Sequence, residues 1–487
     1  MTATEPCDLT AVDQRTLIAA GRLSARELLV SSLNRIEAVN PSVNAIVTLD
    51  REAAFAAAQA ADDERARGNP RPALDGLVVA HKDMTRTAGM RTTMGSEFLR
   101  DVIPETDDAV PARMVAAGAT RIGKTNVPEF GLGSHTVNAV FGATHNPYDL
   151  ARSAGGSSGG AAAALATGMV SLADGGDMGG SLRNPASFCG VVGLRPSTGR
   201  VSTAPTTTAA PSMAVLGPMG RCVADTALLL SAIAGWDAGD PHSLDGDGTE
   251  FLTVAAQRPP EDLAGLRVGW SADLGGLPVD NAITEVITAR GLPAFERLGA
   301  SVDDWAADFD GADFAFRTLR SWSLRALLGP FVAIAPEKFG SNTHTEIEWA
   351  EAITADDVAR AFVLQNEVRA RARQALVAHD VLVAPVTQLP PFPIGWDWPR
   401  SVAGAEMDNY LEWMKACWYV TVTGLPALSL PCGFTTEGLP VGIQIIGRPH
   451  AERDLLVVAA AIEQVLTDAQ KKPADLAADL IARPSMR

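Results

Sequence analysis

Between Ser153 and Arg200 the chain nearly loses its charge. Gly, Ser and Ala dominate, and the charged residues reduce to Asp174, Asp177, Arg183 and Arg195. A solvated Gly/Ser linker does not fit, because the stretch also carries Leu165, Met169-Val170, Phe188-Cys189, Val191-Val192 and a helix-forming alanine run at 161–164. The segment therefore reads as part of a folded core, and the rest of the chain must supply the layers around it.

Those layers alternate. Ser24 with Glu27 forms a capping box ahead of Leu28, Leu29, Leu33 and Ile36 at helical spacing, and Asn40-Pro41 is expected to end that helix. A strand at 44–50, a helix from Arg51 to Gly68 and a strand from Leu77 to Lys82 follow. The alternation continues with a helix at Ala109–Ala117 and a strand at Ala119–Lys124, then a strand at Leu266–Trp270 and a helix from Ile283 to Leu298. Late strands fall at Val381–Pro385, Ala427–Leu430 and Gly442–Ile446, before a helix from Ala451 to Leu466. This is an α/β pattern, which one large mixed sheet flanked by helices on both faces would bury.

Four stretches are expected within one domain: an N-terminal helical segment (1–70), a core with the reactive residues (71–235), a variable region (236–418) lining a cleft, and C-terminal strands and helix (419–487). The variable region holds all nine tryptophans, and Pro390–Trp398 and Thr318–Leu328 read as cleft-lining loops.

Forty basic against fifty-seven acidic residues leave a formal charge of −17, which argues against a nucleic-acid or anionic-membrane partner. The five cysteines are widely spaced with no CxxC pair, so neither a metal site nor a disulfide framework is expected. Without a basic n-region and apolar h-region at the N-terminus, or a run of eighteen apolar residues, a cytoplasmic location is expected. Only six of the forty basic residues are lysines, which makes Lys82 at a strand end conspicuous.

Three motifs compete. Gly118-Ala-Thr-Arg-Ile-Gly-Lys-Thr125 matches a phosphate loop letter for letter, but its order is inverted: a helix precedes Gly118 and the loop itself reads as a strand. Gly155-Gly-Ser-Ser-Gly159 matches a GxSxG elbow, which would make Ser157 the nucleophile of a Ser-His-Asp esterase. The residues before it are polar and turn-like instead of a strand. The third feature joins that tract to Gly175-Gly-Asp-Met-Gly-Gly-Ser181 and Lys82. Glycines ahead of Ser181 let several N–H groups converge where a tetrahedral oxyanion forms. A buried lysine serves as base if desolvation lowers it from ~10.4 to about 7–8, equivalent to ~4 kcal/mol.

The runs Gly155-Gly-Ser-Ser-Gly-Gly160, Gly179-Gly-Ser-Leu-Arg-Asn-Pro-Ala186, Cys189-Gly-Val-Val-Gly-Leu-Arg-Pro196 and Gly438-Leu-Pro-Val-Gly-Ile-Gln444 resemble the amidase signature family, over a span from Leu77 to Glu463. The resemblance implies a Ser-cisSer-Lys triad: Ser181 as nucleophile, Ser157 as bridging residue on a cis Gly156–Ser157 peptide, and Lys82 as base. It also implies backbone oxyanion donors at Met178, Gly179, Gly180 and Ser181, with Gly131 lining the substrate site and Ser158 a structural hydrogen-bonder. Met178, Met84 and Arg195 depart from the family's commoner residues.

The expected activity is hydrolysis of an aryl, acyl or other bulky amide, or of a carbamate, through an acyl-enzyme without metal or organic cofactor. The partner is then a small-molecule amide and the chain a monomer or homodimer. Two rival functions stay open: the amidase subunit of a tRNA-dependent amidotransferase, and the GxSxG esterase. Arg183 is either a carboxylate binder or a scaffold ion pair.

Overall fold

The apolar runs do not alternate with polar residues, because their strands are covered on both sides. In the computed structural model, which describes residues 5–69, 71–205 and 213–482, Val381 and Val383 of one strand join one apolar cluster while Leu382 and Ala384 join another. Ile443 and Ile445 likewise face the first cluster and Ile446 the second.

Eleven strands form this sheet: β1 (Ile46–Leu49), β2 (Val78–Lys82), β3 (Thr120–Thr125), β4 (Leu172–Asp177), β5 (Val192–Arg195), β6 (Val215–Gly220), β7 (Arg267–Trp270), β8 (Ser301–Asp304), β9 (Val381–Pro385), β10 (Ala427–Phe434) and β11 (Pro440–Ile446). Their order is β1-β3-β2-β4-β6-β5-β10-β11-β9-β7-β8. The sheet is mixed. β2 runs parallel to β3 and β4, and β7 parallel to β8 and β9, with antiparallel pairs between. The expected α/β architecture is therefore present. Lys82 and Asp177 end adjacent parallel strands inside the sheet, at the C-terminal strand ends where open α/β sheets place their reactive loops.

Three local expectations are corrected. The capping box of Ser24 and Glu27 forms, but the helix runs through Pro41 to Val43. Its stop is Asn44, in left-handed conformation at φ 55, while the Asn40 side chain accepts the Ala45 and Ile46 N–H groups. Thr318–Leu328 is no loop. It lies within the helix Ala312–Ile334, whose buried Ala315, Phe316, Leu319, Leu324 and Leu328 recur at helical spacing. The helix expected from Ile283 to Leu298 is broken by a π turn at Ile287–Gly291 just before Pro293, which has no N–H for the ladder.

The false phosphate loop is a strand, as read: the helix Ala109–Ala116 ends before Gly118 at φ 87, and Lys124 is buried with its ammonium on Thr85 O and Thr87 Oγ1. Among the described residues no helix is long and apolar enough to cross a membrane. The first four residues of the N-terminus read as leaderless, and the extreme ends of the first and last stretches, lie outside the described residues.

The low charge of the central stretch has a packing reason. The helix Gly159–Ala166 is buried along its whole length. It approaches the β3 edge so closely that a Cβ on Gly160 would lie 2.3 Å from Asn126 N and 2.8 Å from Ala45 O. Helix propensity favours Ala over Gly by about 1 kcal/mol, yet overpacking costs about 1–3 kcal/mol or more where backbone cannot yield. Gly160→Ala is expected to lower the urea midpoint. Gly329→Ala, on the helix Ala312–Ile334 with only Arg325 Cγ nearby at 3.6 Å, is expected to raise it. Equal effects of the two would contradict the packing account.

Candidate active site

Lys82 closes β2 and is buried. Its Nζ donates to Ser157 Oγ at 2.8 Å and to Gly176 O at 3.3 Å, and among the described residues it makes no ion pair with a carboxylate. Burial lowers its pKa to about 7 against the opposing pull of Asp177 and Asp174. Desolvation thus outweighs two negative neighbours, and a large share of the side chain is neutral near pH 7.

Ser157 follows a cis Gly156–Ser157 peptide and leads into the helix Gly159–Ala166. No strand precedes it, and its oxygen contacts a lysine where an esterase elbow would need a histidine. Ser158 hydrogen-bonds through its backbone: its N–H donates to Ser181 O at 3.3 Å and ties the two glycine tracts together, while among the described residues its buried Oγ has no hydrogen-bond partner.

Ser181 sits on a turn after β4, with Gly180 at φ 105. At that backbone angle an L side chain is strained, and a Cβ would also meet Cys417 Cβ at 2.4 Å. The turn is held by a residue that sequence reasoning assigned no role. Asp177 Oδ1 accepts the Gly180 N–H at 3.1 Å, and its Oδ2 accepts the Leu182 N–H at 3.2 Å. Arg183 Nη2 pairs with Oδ1 at 2.8 Å, and Arg195 Nη1 lies 3.3 Å from it. Burial alone would raise this carboxyl; Arg183 first, then Arg195 and the Leu182 N–H, hold it well below the usual carboxylate range.

The four candidate oxyanion amides are not equivalent. Among the described residues, the N–H groups of Met178, Gly179 and Ser181 make no hydrogen bond, while that of Gly180 is engaged by Asp177. Ser181 Oγ also makes none. Gly131, at φ 70, lies beside Ser157: a Cβ there would be 3.2 Å from Ser157 Oγ and 2.7 Å from Met84 Sδ.

Arg183 is a scaffold residue. It is fully buried, and its nitrogens are committed to Asp177, Cys417 O, Gln444 Oε1 and Thr421 Oγ1. A second buried group, also unassigned from sequence, lies beside Met178. Arg320 pairs through Nε with Glu346 Oε1 at 2.7 Å, donates to Tyr410 OH at 3.1 Å, and places Nη1 at 3.1 Å from Met178 Sδ. The charge exceptions at Asp177, Arg183 and Arg195 were a usable signal in a charge-poor stretch. Arg320, Glu346 and Tyr410 are too far apart in sequence to offer one. Among the described residues, no group of three or more His, Cys, Asp or Glu side chains is placed to hold a metal ion.

The Amidase family profile matches residues 27–456. A glutamyl-tRNA(Gln) amidotransferase subunit from Cyanothece sp. is 36% identical over 472 residues, covering 91% of this chain and 94% of that protein. An acylamidase of Rhodococcus erythropolis is 35% identical over 476 residues, covering 96% and 97%. The crystal structure of a bacterial aryl acylamidase of the amidase signature enzymes superposes with a TM-score of 0.88 at 27% identity, covering 98% of this chain and 99% of the other. The fold and these matches make the protein an enzyme that hydrolyses amide C–N bonds. It belongs to the amidase signature family.

The Asp177 cluster is testable apart from activity. Asp177→Asn leaves two buried guanidinium groups against a neutral amide, and breaking a buried pair in this way costs about 3–5 kcal/mol. A loss of that size in the unfolding free energy, read from denaturant melts, is expected. A stability within about 1 kcal/mol of the parent would contradict the clamp.

Proposed function

We propose that the protein is a partner-free amidase of bulky, apolar acyl or aryl amides, with Ser181 as nucleophile, Ser157 as proton relay and Lys82 as base. The observation that carries this reading is the buried Lys82 Nζ at 2.8 Å from Ser157 Oγ, with a pKa near 7. A neutral amine there takes the Ser157 proton as Ser157 takes that of Ser181, and Ser181 Oγ attacks the carbonyl. The amide groups of Met178, Gly179 and Ser181 receive the oxyanion. The relayed proton returns through Ser157 to the leaving amine, and water retraces the path to release the acid. A carbamate fits the same steps, its acyl-enzyme breaking down to an alcohol and carbon dioxide.

The walls favour an apolar substrate. A Cβ on Gly179 would lie 3.6 Å from Met414 Cε and 3.9 Å from Phe316 Cζ, and Phe316 stacks on Trp418 at 4.5 Å between centroids. Met84 and Met178 flank the serines. This bears on the rival amidotransferase reading that the relatives also suggest. Free glutamine brings an ammonium and a carboxylate, and desolvating them against methionine and phenylalanine needs counter-charges. Glu346 and Arg320 already neutralise each other. Five unpaired cysteines suit a reducing compartment such as the cytoplasm.

The purified chain is expected to hydrolyse p-nitroanilides or aryl carbamates without any partner, and to turn over glutamine far more slowly. Preference for glutamine would favour the amidotransferase reading. Ser181→Ala should lower kcat by about three orders of magnitude or more with the fold intact. Lys82→Arg, which stays cationic at every working pH, should be similarly inactive. Because the base works deprotonated, kcat/KM of the parent should rise with pH through an apparent pKa near 7. An acid limb set near the carboxylate range would point to another base.

A further inference from the structure

The Gly155-Gly156-Ser157 segment has almost no side chains with which to hold itself. It is pressed between its neighbours: a Cβ on Gly155 would meet Pro185 Cα at 2.9 Å, and one on Gly156 would meet His135 N at 3.1 Å. Its position therefore depends on hydrogen bonds from outside. Gly155 O accepts from the N–H and Oγ1 of Thr136, at 3.1 and 2.8 Å. Gly155 N–H donates to Ser153 Oγ at 3.0 Å.

Ser153 Oγ is in turn held by His135 Nδ1 at 2.8 Å, and the other ring nitrogen, Nε2, lies 3.1 Å from Ile394 O. A carbonyl only accepts, so Nε2 carries the proton, and Nδ1 is the acceptor of the Ser153 hydroxyl. The hydroxyl hydrogen then points at His135, which leaves a lone pair of Ser153 Oγ for the Gly155 N–H. Burial, opposed by the bond to Ile394 O, lowers the imidazole pKa to about 4, so this neutral tautomer persists at working pH.

The far end of the chain of bonds is the 390–398 loop. Ser153 N–H donates to Phe392 O at 2.8 Å, Ile394 N–H to Ala151 O at 2.8 Å, and the His135 ring packs edge-on against Phe392 at 5.2 Å. Phe392 stacks on the exposed Trp396 and meets Trp413 edge-on, next in sequence to Met414 of the substrate wall.

We propose that His135 is a positioning residue with two separable ends: Nδ1 sets the Gly155–Ser157 segment through Ser153, and Nε2 anchors the 390–398 loop through Ile394 O. The inference rests on the reading of Ser157 as the proton relay. Its two ends act on different steps. Displacement of Ser157 slows proton transfer and lowers kcat, whereas loosening of the loop weakens substrate binding and raises KM.

Two conservative variants separate them. In His135→Asn the amide oxygen stands in for Nδ1 and keeps the Ser153 link. In His135→Gln the amide NH₂ stands in for Nε2 and keeps the Ile394 link. With the best anilide or carbamate substrate, His135→Asn is expected to hold kcat within about threefold and raise KM, while His135→Gln lowers kcat about ten- to a hundredfold with KM nearly unchanged. His135→Phe, which retains only the ring packing on Phe392, should show both defects. Thermal melts define an assay temperature at which every variant is folded. Asn and Gln variants with the same kcat and KM, or a His135→Phe enzyme with parental kcat, overturn the inference. If Ser181→Ala is inactive while the His135 variants show no split, this inference alone fails; if Ser181→Ala is active, the relay reading fails with it.

Discussion

A single buried carboxylate organises the reactive edge of this protein. Asp177 lies at the end of β4, accepts two backbone N–H groups of the turn that follows, and is paired with Arg183 and Arg195. Neither arginine would be tolerable in that interior without it, and the turn carrying Ser181 has glycines where side chains would otherwise hold it. Because Arg183 also reaches Cys417 O, Thr421 Oγ1 and Gln444 Oε1, the same cluster joins the central stretch to the helix Lys415–Thr423 and to β11.

That carboxylate also acts on the lysine. Asp177, with Asp174, favours the ammonium form of Lys82, while burial favours the amine, and burial wins. The outcome near pKa 7 is a balance of large opposed effects. A fully apolar surround would drive the amine so low in basicity that it would accept a proton poorly, and a salt-bridged lysine would never release one. A base poised near neutrality needs the carboxylates near enough to moderate the desolvation and too far to form an ion pair.

Glycine does a second kind of work here. At Gly160 and Gly180 the missing Cβ lets backbone approach backbone or a neighbouring side chain, so elements pack at distances a methyl group would forbid. The cost is that such segments are positioned from outside, by Thr136, Ser153 and Asp177. Thr136 reaches its glycine from a separate segment, whereas Ser153 and Asp177 each precede the serine they help to hold by four residues.

Much of the α/β fold was legible because buried strands are continuous apolar runs, and helices carry their caps and spacing locally; Ser24, Glu27 and Val381–Pro385 are examples. The candidate residues Lys82, Ser157 and Ser181 stand out through scarcity and glycine context, both local properties. At Pro41 and along Thr318–Leu328 a neighbouring contact overrules local preference. Asn40 captures the chain after Pro41, and the packing of Leu319, Leu324 and Leu328 continues a helix. By itself, then, the amino-acid order determined most of the element types, the buried character of the 153–200 stretch and the identity of the candidate triad. Only the tertiary structure decided the partners of Asp177, Arg320 and His135, the burial of Arg183 and the contacts that tune Lys82. Those depend on burial and on partners brought from distant positions, and electrostatics in a low-dielectric interior is set by what is near in space.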